Sequence, residues 1–329
     1  MHYEFTEEKL ELRGMTAYRI RALVDMEDQD VKIGDLGGFV CKDSTLSKKV
    51  WVGGDATVWQ SILKGEIRVD DNARVEKSTL TKRCQILEYA TIFHSTIAGV
   101  YAKGECVIRE SELASPTGEY FGFMVEGNAS LKSCKMTYTA NKGERIQFKG
   151  LSELVSCTVK GKRMEFEGNT VIKYSEIEGE SLYFEDVAYV RGLKLKGKQV
   201  SFQRVKQMLE VRMEKVFQVD VVGALQIEHS SIEGESIVLR GDGIFIGNTS
   251  IRANLVKIRD SVELNHVNME AFDIDLSDYV SLVGNMMDRV HIAEEVYMRD
   301  LVSVHIDKRK KSMSFKKKTL SGDVCLTGI

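Results

Sequence analysis

The chain is 329 residues long with a formal net charge of −3, and 43% of its residues are hydrophobic while 29% are charged. This near-neutral balance by itself neither favours nor disfavours a nucleic-acid partner. The six cysteines lack the CxxC or Cys/His spacing of a zinc site, so neither a metal nor another cofactor is predicted. The single proline suits a chain that is mostly β-sheet, because proline removes a donor from a sheet ladder.

Residues 1–50 do not share the repeat found in the rest of the chain, and they are predicted to form an N-terminal β cap. Apolar residues that alternate with polar ones from Tyr3 to Leu12 predict a β-hairpin. The glycines of Gly34–Gly38 predict turns with positive φ. A phosphate-binding loop is a second interpretation of this segment, but it lacks the Lys-Ser/Thr pair and the following helix of a P-loop.

The segment from Tyr18 to Val58 resembles a bacterial and phage family of hexapeptide-repeat proteins of unknown function. The residues that carry the resemblance are Gly34–Gly38 (GDLGG), Leu46-Ser47, Trp51-Val52 and Ala56-Thr57-Val58. Some members of that family are labelled acyltransferases by analogy of fold. The resemblance covers roughly residues 3–110. It implies a left-handed parallel β-helix, and it brings no established catalytic residue.

Apolar residues recur along the rest of the chain at a period of seventeen and later eighteen residues. Successive sets in the eighteen-residue part are Leu154, Val159 and Phe166, then Ile172, Ile177 and Phe184, then Val190, Leu195 and Phe202. A short fixed period is typical of a solenoid, in which each coil packs only against its neighbours. The pattern therefore predicts an all-β, single-chain parallel β-helix with three short strands per coil.

Two columns of small residues accompany the apolar ones. The first contains Ala56, Ala73, Ala90, Cys106, Ala129, Ser152, Thr170 and Ala188, and the second contains Ser61, Ser78, Ser95, Ser111, Cys134, Cys157 and Ser175. Both are predicted to point inward, the second at a tight corner, because a narrow interior close-packs only if small residues lie beside large ones. Cys134 and Cys157 are accordingly predicted to be core residues rather than nucleophiles.

Larger residues replace the first small column after about residue 205. Leu225, Ile244, Val262 and Val280 occupy its positions, which predicts a wider coil. Residues 203–223 also fit a helical linker, but the register persists through Met208 and Met213, which favours continuous coil. The run AYVRGLKLKGKQVSF resembles the bactofilins, polymer-forming cytoskeletal proteins with a right-handed β-helix. The left-handed form is favoured here.

Four domains are therefore predicted: the cap at 1–50, a narrow β-helix at 51–204, a wider continuation at 205–305, and a basic tail at 306–329. Insertions interrupt the narrow part at 114–123 and 138–147. The first carries a possible partner-binding cluster, although the aromatics could instead fold back onto the coil. Its members are Glu119, Tyr120, Phe121 and Phe123.

The tail is rich in basic residues that could bind nucleic acid or an acidic surface. These are Lys308, Arg309, Lys310, Lys311, Lys316, Lys317 and Lys318. A solubilising end that stops coil-to-coil stacking is the alternative interpretation, since lysines at a strand edge discourage pairing.

Among six histidines, His94 is the weak candidate for a catalytic base, because left-handed β-helix acyltransferases use a histidine at a subunit interface. His94 and His229 follow inward positions and are expected near corners. The sequence shows neither a signal peptide nor an apolar run of membrane length. A cytoplasmic protein without a membrane span is therefore expected.

Three functions remain open on these observations. The favoured one is a non-enzymatic scaffold or interaction protein, a capped β-helical rod that binds another protein through its faces, insertions or basic end. The second is an acyltransferase-like enzyme with its site at an oligomer interface. The third is a bactofilin-like polymer, which a capped end disfavours because filaments need two complementary ends.

Overall fold

The structure is a computed structural model and its regular structure is β-strand throughout the described residues. These are residues 2–11, 16–27, 30–48, 50–59, 61–63, 69, 74–76, 79–87, 91–93, 96–103, 105–114, 123–138, 145–223, 225–265, 267–276, 279–284, 290–299, 302–306, 313–321 and 324–327. Stacked parallel strands form a β-solenoid, which confirms the predicted fold class. The chain divides into two compact units, unit 1 (Met1–Lys162) and unit 2 (Arg163–Ile329).

Unit 1 begins with an antiparallel pair, β1 (Ala17–Arg19) with β2 (Phe39–Cys41). The predicted hairpin from Tyr3 is wrong, because described residues 2–11 form no strand. The ring of Phe5 instead packs against those of Tyr3 and Tyr18, with centroids 5.2 and 6.1 Å apart. The alternating aromatic residues of this segment therefore supply packing for the cap rather than a ladder.

The glycine-rich segment joins this cap to the first coil. The Gly38 N–H donates to the Val52 carbonyl at 2.5 Å, and the Gly38 carbonyl accepts from the Ile20 N–H at 3.1 Å. Gly37 and Gly38 have φ of +99° and +86°, and a Cβ on either would collide with a backbone oxygen, that of Val52 or Gly54. These contacts support a role in close backbone approach rather than phosphate binding.

The coils of unit 1 combine a sheet of short strands with a second sheet of longer ones, all parallel in their described pairings. The short strands are β3 (Arg74–Glu76), β5 (Thr91–Phe93), β7 (Val107–Arg109), β10 (Ser130–Lys132) and β13 (Glu153–Val155). The second sheet contains β4 (Thr79–Leu87), β6 (Thr96–Lys103), β8 (Glu112–Ala114), β9 (Phe123–Glu126), β11 (Lys135–Thr137), β12 (Ile146–Lys149) and the start of β14 (Thr158–Glu167).

Both predicted insertions begin and end at the same corner of their coils. One interrupts the second sheet between β8 and β9, and the other interrupts it between β11 and β12. β8 pairs with β11, and β9 pairs with β12, so the two interruptions are stacked one coil apart. The intervening segments, 115–122 and 139–144, lie outside the described residues.

Unit 2 repeats the same two-sheet coil. Its short strands are β15 (Val171–Lys173), β17 (Tyr189–Arg191), β19 (Gln207–Leu209), β21 (Leu225–Glu228), β23 (Ile244–Gly247), β25 (Ser261–Asn265), β27 (Tyr279–Gly284), β29 (Val302–Ile306) and β31 (Val324–Thr327). Its long strands are β16 (Glu176–Glu185), β18 (Lys194–Gln203), β20 (Arg212–Val222), β22 (Ser231–Arg240), β24 (Ser250–Arg259), β26 (Asn268–Leu276), β28 (Val290–Arg299) and β30 (Met313–Ser321). Residues 203–223 are thus continuous coil, as their register predicts, and no helical linker lies between Gln203 and Gly223.

Two of the three predicted segments of each unit 2 coil are joined into one long strand. In β16, Ile177 and Phe184 both point inward, although a corner lies between them near Gly179. Gly179 pairs with Gly197 of the next coil, so the sheet ladder continues through the bend. Small residues at this corner let the backbones pass closely, since a Cβ on Gly197 would lie 2.9 Å from the Gly179 carbonyl oxygen.

The inward columns confirm the predicted apolar periodicity. Phe166, Phe184 and Phe202 are fully buried, and successive rings stack 4.7 and 4.8 Å apart. The second small column is buried in the described residues at Ser61, Ser111, Cys134, Cys157 and Ser175. The described members of the first column as far as Thr170 are buried: Ala56, Cys106, Ala129, Ser152 and Thr170. Ala188 is only half-buried, and its neighbour Val187 occupies the core. The change from small to large residues therefore begins at Val187, before residue 205.

Candidate interaction surface

Both sheets of unit 2 carry charged, amide and aromatic side chains on their outer surfaces. The long strands carry ion pairs between coils, such as Glu176 to Lys194 at 2.6 Å and Glu180 to Lys198 at 2.9 Å. Exposed pairs of this kind contribute roughly 0–1 kcal/mol each, and they keep a surface solvated. The short strands carry an outward column of aromatic and amide side chains beside one inter-coil ion pair, Arg191 to Glu210 at 2.8 Å.

Each short strand buries its middle residue and turns the flanking residues outward. Ile172, Val190 and Met208 are fully buried, whereas the residues on either side of each are partly exposed. Because side chains alternate along a strand, successive coils build two outward columns. The first column contains Val171, Tyr189, Gln207, Gln226 and Phe245, and the second contains Lys173, Arg191, Leu209, Glu228 and Gly247.

A left-handed corner residue follows each of these short strands. In unit 2 the corner residues are Tyr174, Gly192, Glu210, His229 and Asn248, with φ between +47° and +61°. The Tyr174 side chain is 54% exposed and lies over the next corner. A Cβ on Gly192 would lie 2.7 Å from Cδ1 of Tyr174, so the absence of a side chain there lets the tyrosine ring lie flat against the coil.

Arg191 links this tyrosine to an acidic corner residue. Its Cζ lies 6.0 Å from the centre of the Tyr174 ring, and its Nη2 donates to Oε1 of Glu210 at 2.8 Å. The hydrogen bond to Glu210 raises the pKa of Arg191 above its usual range, with a smaller contribution from a hydrogen bond to Tyr189. Hydrogen bonding from Arg191 in turn lowers the pKa of Glu210. The guanidinium is thus held in one orientation between an aromatic ring and a carboxylate.

The two glutamines form a directional chain of hydrogen bonds across successive coils. Nε2 of Gln207 donates to Oε1 of Gln226 at 3.3 Å, and Nε2 of Gln226 donates to Oε1 of Glu228 at 2.5 Å. Phe245 continues the column, with its ring beside Gly247, where a Cβ would lie 2.9 Å from Cε1 of the ring. Planar polar groups are therefore ordered between aromatic rings.

We call this surface of unit 2 the tyrosine–glutamine face. Its members are Tyr174, Tyr189, Arg191, Gln207, Glu210, Gln226, Glu228 and Phe245. Its charged members are Arg191, which pairs with Glu210, and Glu228, which accepts from Gln226, so the face has a net charge of only −1. It offers aromatic rings, amides and a fixed guanidinium to a ligand, which suits docking of a polar but uncharged surface better than binding of a polyanion.

Of the aromatic cluster predicted from sequence to bind a partner, the structure describes Phe123. Phe123 is buried in β9, 1% exposed, with its ring 5.9 Å from that of Tyr138. For this one residue the structure shows the alternative in which the aromatic folds back onto the coil. The other members of that cluster, Glu119, Tyr120 and Phe121, lie outside the described residues.

The basic tail is described only in part. Lys316, Lys317 and Lys318 lie in β30, which pairs in parallel with β28 so that Lys317 is opposite Glu295. Lys308, Arg309, Lys310 and Lys311 lie outside the described residues. Binding of nucleic acid or an acidic surface by the tail stays a prediction.

The catalytic candidate His94 also lies outside the described residues. His229 is an exposed corner residue with φ of +51°, the kind of position expected for it. His2 is buried in the cap, 6% exposed. Within the described part of the chain, His, Cys, Asp and Glu side chains form no group of three that could hold a metal ion, and no helix there is long and apolar enough to cross a membrane.

Comparison with known proteins adds no further constraint. No protein-family model matches the chain, and no curated protein or solved structure is significantly similar to it. The interpretation of the tyrosine–glutamine face therefore depends on its own geometry and chemistry.

The face was not found from sequence, although a signal for it was present. Tyr189, Gln207 and Gln226 recur at the repeat period one position before an inward residue. Apolar periodicity marks the core, whereas this column occupies outward positions. A search of the outward positions at the same period would have found this column.

Proposed function

We propose that this chain is a non-enzymatic binding scaffold and that another protein docks on the tyrosine–glutamine face. The observation that carries the proposal is the group of ordered aromatic, amide and guanidinium side chains on the short-strand side of unit 2. Tyr174, Tyr189 and Arg191 lie together there, and Arg191 is paired with Glu210 of the next coil. Tyrosine and arginine are the residue types most enriched where protein partners gain binding energy.

The order of these side chains supports docking. Immobilising a flexible side chain on binding costs roughly 0.5–1.5 kcal/mol. Arg191 is already held by Glu210, and Gln226 is already held by Gln207 and Glu228. A partner would therefore lose less free energy in ordering this face than in ordering an equivalent set of free side chains.

Several finer predictions accompany this proposal. Membership of the hexapeptide-repeat family, a left-handed coil and a cytoplasmic location all stay predictions. The backbone contacts of Gly37 and Gly38 with the segment Val52–Gly54 support the first of them, because the residues that carry the resemblance are those that join the cap to the first coil.

The test begins with a photo-cross-linking amino acid at Tyr189, with Glu233 of β22 as the control position. Glu233 is exposed and lies on the long-strand sheet. Cross-linking is carried out in cells that naturally produce the protein, and the product is identified by mass spectrometry. We expect one protein to be captured from position 189 and not from position 233.

Affinity measurements then decide whether the face is responsible. The captured protein is purified and titrated calorimetrically against the unaltered chain and the variants Tyr189→Ala, Arg191→Ala and Glu233→Ala. Loss of a central anchor costs at least about 2 kcal/mol, which is roughly thirtyfold in affinity. We expect this loss for Tyr189→Ala and Arg191→Ala and no loss for Glu233→Ala. Equal affinity of all variants would refute the proposal.

A further inference from the structure

Cys134 and Cys157 occupy the same corner position in successive coils of unit 1. Lys135 pairs with Thr158, and the Thr158 N–H donates to the Cys134 carbonyl at 2.9 Å. Paired strands lie about 4.8 Å apart, while the Cα atoms of a disulfide are usually roughly 4.4–6.8 Å apart. The register of the backbone therefore already places these two cysteines within range of a covalent bond.

Their thiols also point the same way along the stack. The Cys157 Sγ lies 3.4 Å from the Val155 carbonyl and 3.3 Å from the carbonyl of Leu131, which belongs to the preceding coil. Cys134 makes the equivalent pair of contacts with Lys132 and Ile108. The Cys157 thiol is thus directed back towards the coil that contains Cys134.

The two thiols also interact directly with each other. A hydrogen bond with Cys157 lowers the pKa of Cys134, whereas the same interaction raises the pKa of Cys157. Burial opposes the first shift and adds to the second. The contact with Cys157 therefore shifts Cys134 towards the thiolate form, which is the nucleophile in thiol oxidation.

We propose that Cys134 and Cys157 form an oxidisable dithiol that closes to a disulfide when it reacts with hydrogen peroxide. Peroxide is a small oxidant, so local opening of the corner is enough to admit it to side chains that are 2% and 1% exposed. The bond would enclose residues 135–156, which include the second insertion. Oxidation would therefore cross-link the coil that carries this insertion to the next coil.

The reaction proceeds in two balanced steps. The Cys134 thiolate attacks one peroxide oxygen, the O–O bond breaks, and hydroxide leaves, which gives a sulfenic acid. The Cys157 sulfur then attacks the Cys134 sulfur, the S–O bond breaks, and the leaving hydroxide departs as water with the thiol proton. The two thiols lose two electrons and two protons in all, and the peroxide is reduced to water.

The experiment treats the folded, full-length protein with hydrogen peroxide, removes the oxidant with catalase, and alkylates the denatured chain with iodoacetamide before digestion and mass spectrometry. We expect a cross-linked peptide pair containing Cys134 and Cys157 that dithiothreitol abolishes. Cys106 is an internal control, since it is fully buried but is stacked on Ala129. It should be recovered alkylated.

Substitution of each cysteine by serine tests whether both thiols are needed for the cross-link. Serine fits this corner, because Ser111 and Ser175 are buried at the equivalent positions. In Cys157→Ser the cross-link should be absent and Cys134 should be trapped as its dimedone adduct. The unaltered protein should also gain a higher thermal midpoint on oxidation, a gain that both serine variants lack. The proposal is overturned if both thiols stay alkylatable after treatment, or if Cys134 cross-links elsewhere or passes to sulfinic acid.

Discussion

At the scale of single residues, the stacked phenylalanines show how a repeat makes a core. Phe166, Phe184 and Phe202 are fully buried, and their rings are nearly parallel, 7° and 18° apart in plane. Each ring covers the face of its neighbour, so Phe184 loses contacts on both sides if it is truncated. Phe217 offers a matched control, because it is the same residue type at 62% exposure.

We expect Phe184→Ala to lower the free energy of unfolding by about 3–5 kcal/mol, since it leaves a cavity between two rings. Phe217→Ala should change it by less than about 0.5 kcal/mol, because no buried contact is lost. Urea unfolding followed by circular dichroism measures both. Similar losses for the two variants would mean that the ring stack is not what stabilises these coils.

The sequence predicted such inward residues well and the outward ones poorly, for a physical reason. Apolar periodicity reports the face that must be removed from water, and that constraint applies at every coil. An outward side chain such as Tyr174 is positioned by local contacts with Gly192 and Arg191, which obey no repeat. Phe123 was predicted as part of an outward cluster because it lies beside an insertion, yet its side chain is part of the core.

At the scale of the structural element, the corner after each short strand is held by a buried side chain. The Ser230 hydroxyl donates to the Glu228 carbonyl at 2.8 Å and accepts from the Val211 N–H at 3.1 Å. Thr249, one coil later, donates to the Gly247 carbonyl at 2.8 Å and accepts from the Ser230 N–H at 3.4 Å. One hydroxyl thus closes its own corner and joins it to the preceding coil.

We expect Ser230→Ala to destabilise the protein by about 1–3 kcal/mol, because a buried N–H loses its acceptor. Ser230→Thr should be tolerated, since a threonine has the same role at position 249. The measurement is the urea midpoint of each variant, compared between variants whose unfolding free energy has the same dependence on urea concentration. If alanine and threonine have the same midpoint as serine, the hydroxyl does not stabilise the corner.

The same corner marks a limit of prediction from sequence. Small residues at Ser111, Cys134, Cys157 and Ser175 were correctly predicted to point inward. The residue before each of them has a left-handed backbone conformation, and this conformation was not predicted. Residues as different as Glu110 and Tyr174 adopt it, so residue type gives no signal for it. Burial of the following side chain, rather than the identity of the corner residue, selects that conformation.

At the scale of the whole molecule, the ladders of the described strands join each coil to its immediate neighbours. β18 pairs with β16 and β20, and β10 pairs with β7 and β13. In such proteins the stability is close to a sum of terms for each repeat and each interface between neighbours. The sequence predicts this property because it follows from the period alone. The binding partner could not be predicted in the same way, because the packing between adjacent coils does not depend on which partner binds.

If stability is local, a core substitution should speed native-state hydrogen exchange near its own coil and not in distant coils. Phe184→Ala should speed exchange of amides in residues 171–203 by more than about tenfold, which corresponds to 1.4 kcal/mol. It should leave residues 123–138 of unit 1 nearly unchanged. Leu131→Ala, at a fully buried position of β10, should have the opposite distribution. Peptide-resolved mass spectrometry measures both variants against the unaltered protein. If either substitution accelerates exchange equally in both ranges, the chain unfolds as one cooperative body, and the nearest-neighbour description of its stability fails.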